Sequence, residues 1–293
     1  MISSSPVQTA VEWKLRGDKL YTTPGTLHRE DGRTFNCRDA YLEALKHDPE
    51  YGAAWGRLAT CTSRSELIPV NGTRHSKLEC GKLALKYDPS DADGWYIIGS
   101  FNDGMRTFDG SNTEQVVVHE GVGYTAFECF VKAISSDPDH SCSWDGIGDL
   151  AEANGGTIEV LGESYSSMDA FRRSLQLDIT SFTSWCNMGA SLSGATTNID
   201  GKTFTEMDCY QHALLKCKRH EVWRISEAWT NIGCLVDANG GSVTVAEKSY
   251  SRIDCFVEAL HHDPFDPVSW RDVALQLLRD HTGGLGAPRS TVT

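Results

Sequence analysis

Apolar positions along this chain fall into two helical stripes that alternate. The first stripe carries a tryptophan, an aliphatic residue three positions later and a small residue four positions later. Tryptophans 13, 55, 95, 144, 185, 229 and 270 stand in phase. Their small partners are Gly17, Ala59, Gly99, Gly148, Gly189, Gly233 and Ala274. Leu58, Ile98, Ile147, Met188, Ile232 and Val273 fill the aliphatic slot. Residues i, i+3 and i+4 share one helix face, so this segment is predicted to be an amphipathic helix, helix A. The small residue lets a second helix approach closely.

The second stripe lies between tryptophans: an acidic residue, Cys or Ala, usually an aromatic, two variable residues, then Ala-Leu or a near equivalent. It reads DAYLEAL from Asp39, ECGKLAL from Glu79, ECFVKAI from Glu128, DAFRRSL from Asp169, DCYQHAL from Asp208 and DCFVEAL from Asp254. This is predicted helix B. Asp48-Pro49, Asp88-Pro89, Asp137-Pro138 and Asp263-Pro264 mark where it stops, because proline cannot continue a helix and disfavours helical geometry in the residue before it. From the Cys/Ala position of helix B to the next tryptophan is 15 residues, as from Ala40 to Trp55, in every unit but one. The exception contains RHEVWRIS, read as an insertion with the out-of-phase Trp223 on its surface.

The stretch from helix A to helix B varies in length and is predicted to be a surface loop. Gly32, Gly72, Gly121, Gly162 and Gly201 each stand three residues before Phe35, His75, Tyr124, Tyr165 and Phe204; the sixth unit has Glu247 before Tyr250. Each loop reads as an extended arm, a glycine turn, and an aromatic tucked beside helix B. The loops are either solvated spacers anchored by one ring or functional arms. One helix pair cannot bury its stripe alone, so neighbours must stack. The predicted architecture is all-α: an α-α superhelix of six helix pairs, closed by a C-terminal capping helix over 267–280.

This pattern resembles the tetratricopeptide repeat family. The resemblance rests on Trp, Leu/Ile and Gly/Ala in helix A. It rests also on the end of helix B, as in Ala133-Ile134-Ser135-Ser136-Asp137-Pro138 leading to Trp144. It covers 10–280, with 1–9 and 281–293 expected to be disordered. The units are a long-loop variant, since the family's repeat is about 34 residues. The small residue early in helix B is poorly kept: Cys37, Lys77, Ala126, Ser167, Glu206 and Arg252 stand there.

The resemblance implies a non-enzymatic protein-interaction scaffold with helix A lining a concave surface. Its ligand-facing slots lie two before, and one, two and five after, the tryptophan. Carried over, they give Asp93, Tyr96, Asp145, Asp149, Asn187, Glu227 and Asn231 as the partner-binding set, with Ser100, Cys186, Ala190, Thr230 and Cys234 in further slots. Asp103, Glu152 and Asp237 continue the face by one turn. An acidic face implies a basic, extended peptide or protein segment. Asn187 and Asn231 share one slot and would hydrogen-bond its backbone. Lys14, Arg57 and Arg271 do not form one cluster, so a clamp for a terminal carboxylate is not expected.

Net charge is −13, which argues against a nucleic-acid binder. No apolar run approaches the roughly 20 residues of a membrane helix, and the start does not read as a secretory signal. The ten cysteines contain no C-x-x-C, and Cys80, Cys129, Cys209 and Cys255 share a phase with Ala40 and Ala170. They read as small buried sites with reduced thiols, in a cytoplasmic compartment.

Signs of chemistry are sparse. There is no G-x-S-x-G and no H-E-x-x-H, and GGLGAP from Gly283 lies in the tail. His261-His262 occupies the slot of Lys46-His47, which favours a structural role. Cys209, His212, Cys217 and His220 have zinc-like spacing, but Cys209 is in the core phase. No enzyme, cofactor or metal is expected. The alternative reading is a self-assembling module forming homo-oligomers through end helices or loop arms, for which Leu275, Leu277 and Leu278 leave the last helix apolar.

Overall fold

The computed structural model describes residues 6–22, 27–28, 34–103, 117–216, 222–236 and 241–283. The fold is an all-α array of helix pairs. They are α1 (Pro6–Thr22) with α2 (Cys37–His47), α3 (Gly52–Thr60) with α4 (Lys77–Tyr87), and α5 (Ala92–Asp103) with α6 (Ala126–Ser136). Then come α7 (Ser141–Ala153) with α8 (Ser167–Leu177), α9 (Phe182–Leu192) with α10 (Glu206–Lys216), and α11 (Val222–Leu235) with α12 (Arg252–His262). The last helix is α13 (Pro267–Gly283). The array divides into two compact units, Met1–Leu177 and Asp178–Thr293. Inside each, helix B packs on its own helix A and on the helix A that follows.

The helical region is longer than expected at both ends. Helix α1 is already helical at Pro6, the first of the described residues, which proline's fixed φ permits in a first turn. Helix α13 is described as far as Gly283, because loss of apolar periodicity after Asp280 does not by itself end a helix. Residues 1–5 and 284–293 lie outside the described residues. The segment read as an insertion belongs in part to helix A: α11 starts at Val222, so the backbone of Trp223 is in its first turn. Val222, Ile225 and Trp229 continue one i, i+3, i+7 stripe, which extends the helix backward.

The connections within pairs are two-stranded antiparallel hairpins rather than single arms. They are β1 (Leu27–His28) with β2 (Thr34–Phe35), β3 (Leu67–Val70) with β4 (Thr73–Ser76), and β5 (Val117–His119) with β6 (Val122–Tyr124). The others are β7 (Thr157–Val160) with β8 (Glu163–Ser166), β9 (Thr196–Ile199) with β10 (Lys202–Thr205), and β11 (Ser242–Val245) with β12 (Lys248–Ser251). Val160 pairs with Glu163 and Val245 with Lys248, leaving two-residue turns. Both turn residues have positive φ, as at Asn71 (49°) and Gly72 (85°). That is the type I′ geometry, whose twist matches the strands. The Asp31-Gly32 turn lies outside the described residues.

Each hairpin delivers a capping residue to helix B. Asn36, Ser76, Thr125 and Ser251 accept from the backbone N–H of Asp39, Glu79, Glu128 and Asp254, whose carboxylates accept in return from the cap N–H. Ser166 with Asp169 and Thr205 with Asp208 exchange the same bonds. The acidic residue opening the helix B stripe is therefore half of a capping box. At the other end, the carboxylates of Asp48, Asp88, Asp137 and Asp263 accept from the N–H two residues on, closing the turn into the next helix A.

The tryptophans sit where these parts meet. The indole N–H of Trp55, Trp95, Trp144, Trp185 and Trp270 donates to the carbonyl six residues earlier, on Pro49, Pro89, Pro138, Ile179 and Pro264, at 2.8–3.0 Å. The hairpin aromatic stacks on the helix A tryptophan rather than lying only beside helix B. Trp55–His75, Trp95–Tyr124, Trp144–Tyr165, Trp185–Phe204 and Trp229–Tyr250 have ring centroids 4.7–5.1 Å apart. The small residue one turn on makes room for the helix B aromatic: a Cβ at Gly148 would lie 2.3 Å from the Phe171 ring. Trp13 is half-buried, and Trp270 is the exposed member of the series at 54%, with no hairpin aromatic among the described residues reaching it.

Candidate protein-interaction face

The residue after each tryptophan, expected to face a ligand, instead meets the start of the next helix A at three seams. Gly56 abuts Asp91: a Cβ at Gly56 would lie 2.3 Å from Asp91 Oδ1. That oxygen also accepts from the Gly94 N–H at 2.7 Å, capping α5. The Tyr96 ring lies 5.6 Å from the ring of His140, the N-cap of α7. In the second unit, the Thr230 hydroxyl donates to Asp266 at 2.8 Å, and Asp266 accepts from the Ser269 N–H at the start of α13.

Two other slots pair by charge. Arg57, two after its tryptophan, reaches Asp93, two before the next, with Nε 3.3 Å from Oδ2. The same Nε is 3.5 Å from Asp18 Oδ1, and Lys14 Nζ is 2.8 Å from Asp18 Oδ2. Tyr41 donates to Asp18 at 3.0 Å. His140 Nε2 lies 3.2 Å from Asp93 Oδ1, while its Nδ1 accepts from the Ser143 N–H. Nδ1 as acceptor puts the Nε2 proton on the bond to Asp93. Lys14, Asp18, Arg57, Asp93 and His140 thus form a chain of alternating partners from α1 through α3 and α5 to the cap of α7.

Burial would push the Asp93 carboxyl up, but the His140 hydrogen bond and the Arg57 charge outweigh it and hold it below its ordinary value. Burial opposes the charge on Arg57 as well; Asp93 and Asp18 outweigh it and raise its pKa. Asp91 goes the other way. Burial and the neighbouring Asp93 push it up to about 7, against the Gly94 N–H bond. Two aspartates two residues apart therefore differ in function: one is held ionised, the other takes up a proton readily.

The structure groups the expected binding set by unit: Asp93, Tyr96, Asp145 and Asp149 in the first; Asn187, Glu227 and Asn231 in the second. Asp93 and Asp145 are each only 7% exposed, and Asp93 is committed to Arg57 and His140. Tyr96 is half-buried against Phe130 and His140. Asp149, Asn187 and Asn231 are half-buried, and Glu227 is exposed. Glu227 lies 3.9 Å from Arg224 Nε. The side chains of Asp103 and Asp237 lie outside the described residues. Asp91 and His140 were not singled out from sequence. Opposite charges at Arg57 and Asp93, in complementary slots of consecutive helices, were the available signal for this pairing.

The zinc-like spacing does not gather its residues into the described part of the fold. Cys209 is buried; His212 stacks on Trp185 and Phe204, with Nδ1 bonded to the Asp208 carbonyl. Cys217 and His220 lie outside the described residues. Among the described residues, no group of three or more His, Cys, Asp or Glu could hold a metal ion. No described helix is long and apolar enough to cross a membrane.

No family model matches this chain, and no curated protein matches it. Among solved structures, one titled crystal structure of MamA protein is similar at 16% identity, covering 74% of this chain and 94% of that chain, with a TM-score of 0.30. The class of this protein, an all-α array of tetratricopeptide-like helix pairs joined by hairpins, therefore rests on its own repeated geometry.

Proposed function

We propose that this protein is a non-enzymatic protein-interaction scaffold, a long-loop variant of the tetratricopeptide-like family working in the cytoplasm. Its ligand is an extended, basic segment held along the helix A face. One observation carries the reading. The Lys14–Asp18–Arg57–Asp93–His140 chain links four successive A helices of the first unit, so their polar residues line one continuous strip. A strip of that kind suits a linear partner better than a compact substrate. The buried Asp93 holds the strip together, so within the first unit the partner contacts fall to Tyr96 and Asp149; Asn187, Glu227 and Asn231 are the contacts proposed for the second unit taken by itself. Affinity falls with added salt, since exposed charges are screened beyond about 8 Å at physiological ionic strength. Affinity purification with Asp149→Lys and Glu227→Lys beside the wild type tests this. Loss of basic partners supports the reading, and an unchanged partner list defeats it.

A second reading, homo-oligomer formation through the last helix, is favoured by the exposure of Trp270, Leu275 and Leu277 on α13. A concentration-independent monomer in light scattering removes it. Concentration-dependent assembly that Leu277→Glu abolishes supports it.

A further inference from the structure

The seam between α2 and α3 brings two cysteines together. Cys37 is the first residue of α2 and Cys61 follows the last residue of α3, with their sulfurs 3.6 Å apart. Both residues are half-buried. The seam recurs in the first unit, but the matching positions hold Lys77 with Phe101, then Ala126 with Leu150. Packing at this place does not demand thiols.

We propose that Cys37 and Cys61 form a reversible disulfide by exchange with a small-molecule disulfide such as that of glutathione. Cys37 is the attacking group. It sits at the positive end of α2, where a thiolate is favoured. The hydrogen bond from Cys61 and the N–H groups of Arg38 and Cys37 lower its pKa to about 7, against burial and Asp39. Cys61 keeps its proton, held by the bond to Cys37 and by burial. The Cys37 thiolate attacks the external disulfide; that S–S bond breaks, and one thiolate leaves and takes up the Cys61 proton. The Cys61 thiolate then attacks the Cys37 sulfur of the mixed disulfide and expels the second thiolate. Two protein thiols are oxidised and one external disulfide is reduced to two thiols. The sulfurs close from 3.6 Å to about 2.05 Å.

Four of the buried cysteines do not compete. Burial pushes Cys80, Cys129 and Cys209 up to about 12 and Cys255 to about 11, leaving almost no thiolate at neutral pH. The bond would also act on the strip described above. Tyr41, which holds Asp18, stands four residues after Cys37 in α2, and Arg57, which also holds it, stands four residues before Cys61, the C-cap of α3.

The test uses the full chain in glutathione buffers of increasing disulfide fraction, quenched with acid and mapped by mass spectrometry of unreduced peptides. One Cys37–Cys61 cross-link is expected, reversed by dithiothreitol, with the melting temperature raised by about 5–10 °C. Cys61→Ser should stop at the Cys37–glutathione adduct. Cys37→Ser and Cys37→Ala should leave Cys61 unmodified over the same time. Three results would overturn the proposal: both thiols reduced in buffers that oxidise a flexible dithiol peptide, a lasting glutathione adduct on wild-type Cys37, or Cys61 reacting as fast without Cys37.

Discussion

Four hairpin turns place glycine second, at φ between 81° and 86°; the turn after β11 places Glu247 there, at 67°. A left-handed conformation costs an ordinary L-residue roughly 1–2 kcal/mol. Among the described residues no hydrogen bond or ion pair uses the Glu247 side chain, so Glu247→Gly removes that cost without losing a contact. Glycine's greater freedom in the unfolded chain takes back about 0.4–1 kcal/mol. The net expectation is a stabilisation of about 0.5–1 kcal/mol, unusual for a substitution to glycine. A mirror experiment isolates the cause. Gly162 has φ +86 and nothing within 4 Å of an added Cβ, so Gly162→Ala meets no steric contact and should cost about 1 kcal/mol through the backbone alone. Urea unfolding followed by tryptophan fluorescence reads both as shifts of midpoint at constant slope. A lower midpoint for Glu247→Gly together with an unchanged one for Gly162→Ala would refute the turn geometry.

Trp185 is fully buried, so Trp185→Ala should cost about 3–5 kcal/mol. The half-exposed Trp270 should cost much less on the same change, in parallel denaturation curves. Ser76→Ala should cost about 1 kcal/mol as a lost N-cap. Ser76 holds Glu79 below its ordinary 4.5, so the stability Glu79 contributes is present above pH 4.5 and lost as pH falls through its lower folded value. Melts across the acid range should therefore be flatter for Ser76→Ala. Asp91 has the opposite sign: raised from 3.8 to about 7 in the fold, it makes the first unit lose stability as pH rises between those values. Asp91→Asn keeps the oxygen that caps α5 and should abolish that slope.

The helix pairs were legible because each repeats its own apolar period, and six copies let the phase be checked against itself. The hairpins were half legible. Their glycine turns stood out and an extended arm was read before each, but the second strands, such as Glu163–Ser166 and Lys202–Thr205, are mostly polar and show no apolar alternation to mark a partner strand. The capping boxes were visible as Ser or Thr three residues before an acid, a local signal that the acid at the head of the stripe already implied. The seam was legible only as opposite charges at Arg57 and Asp93 in complementary slots. Asp93 meets Arg57 from 36 residues away and His140 from 47 away, and only the stacked fold shows that its carboxylate is spent on them. The division after Leu177 left no mark, since Asp178 ends its helix B in the same slot as Asp48.

The indole bond to the carbonyl six residues back acts as a ruler across the junction from helix B to helix A. A single residue inserted between Pro138 and Trp144 would tear that donor from its acceptor and rotate the following helix by about 100°. At Gly162 and Gly201 the turn glycines face open space, with nothing within 4 Å of an added Cβ. Foreign sequence grafted at Gly162 or Gly201 would thus be carried on the outside of an intact array, which makes the tips, rather than the helix junctions, the natural points of attachment for labels or epitopes.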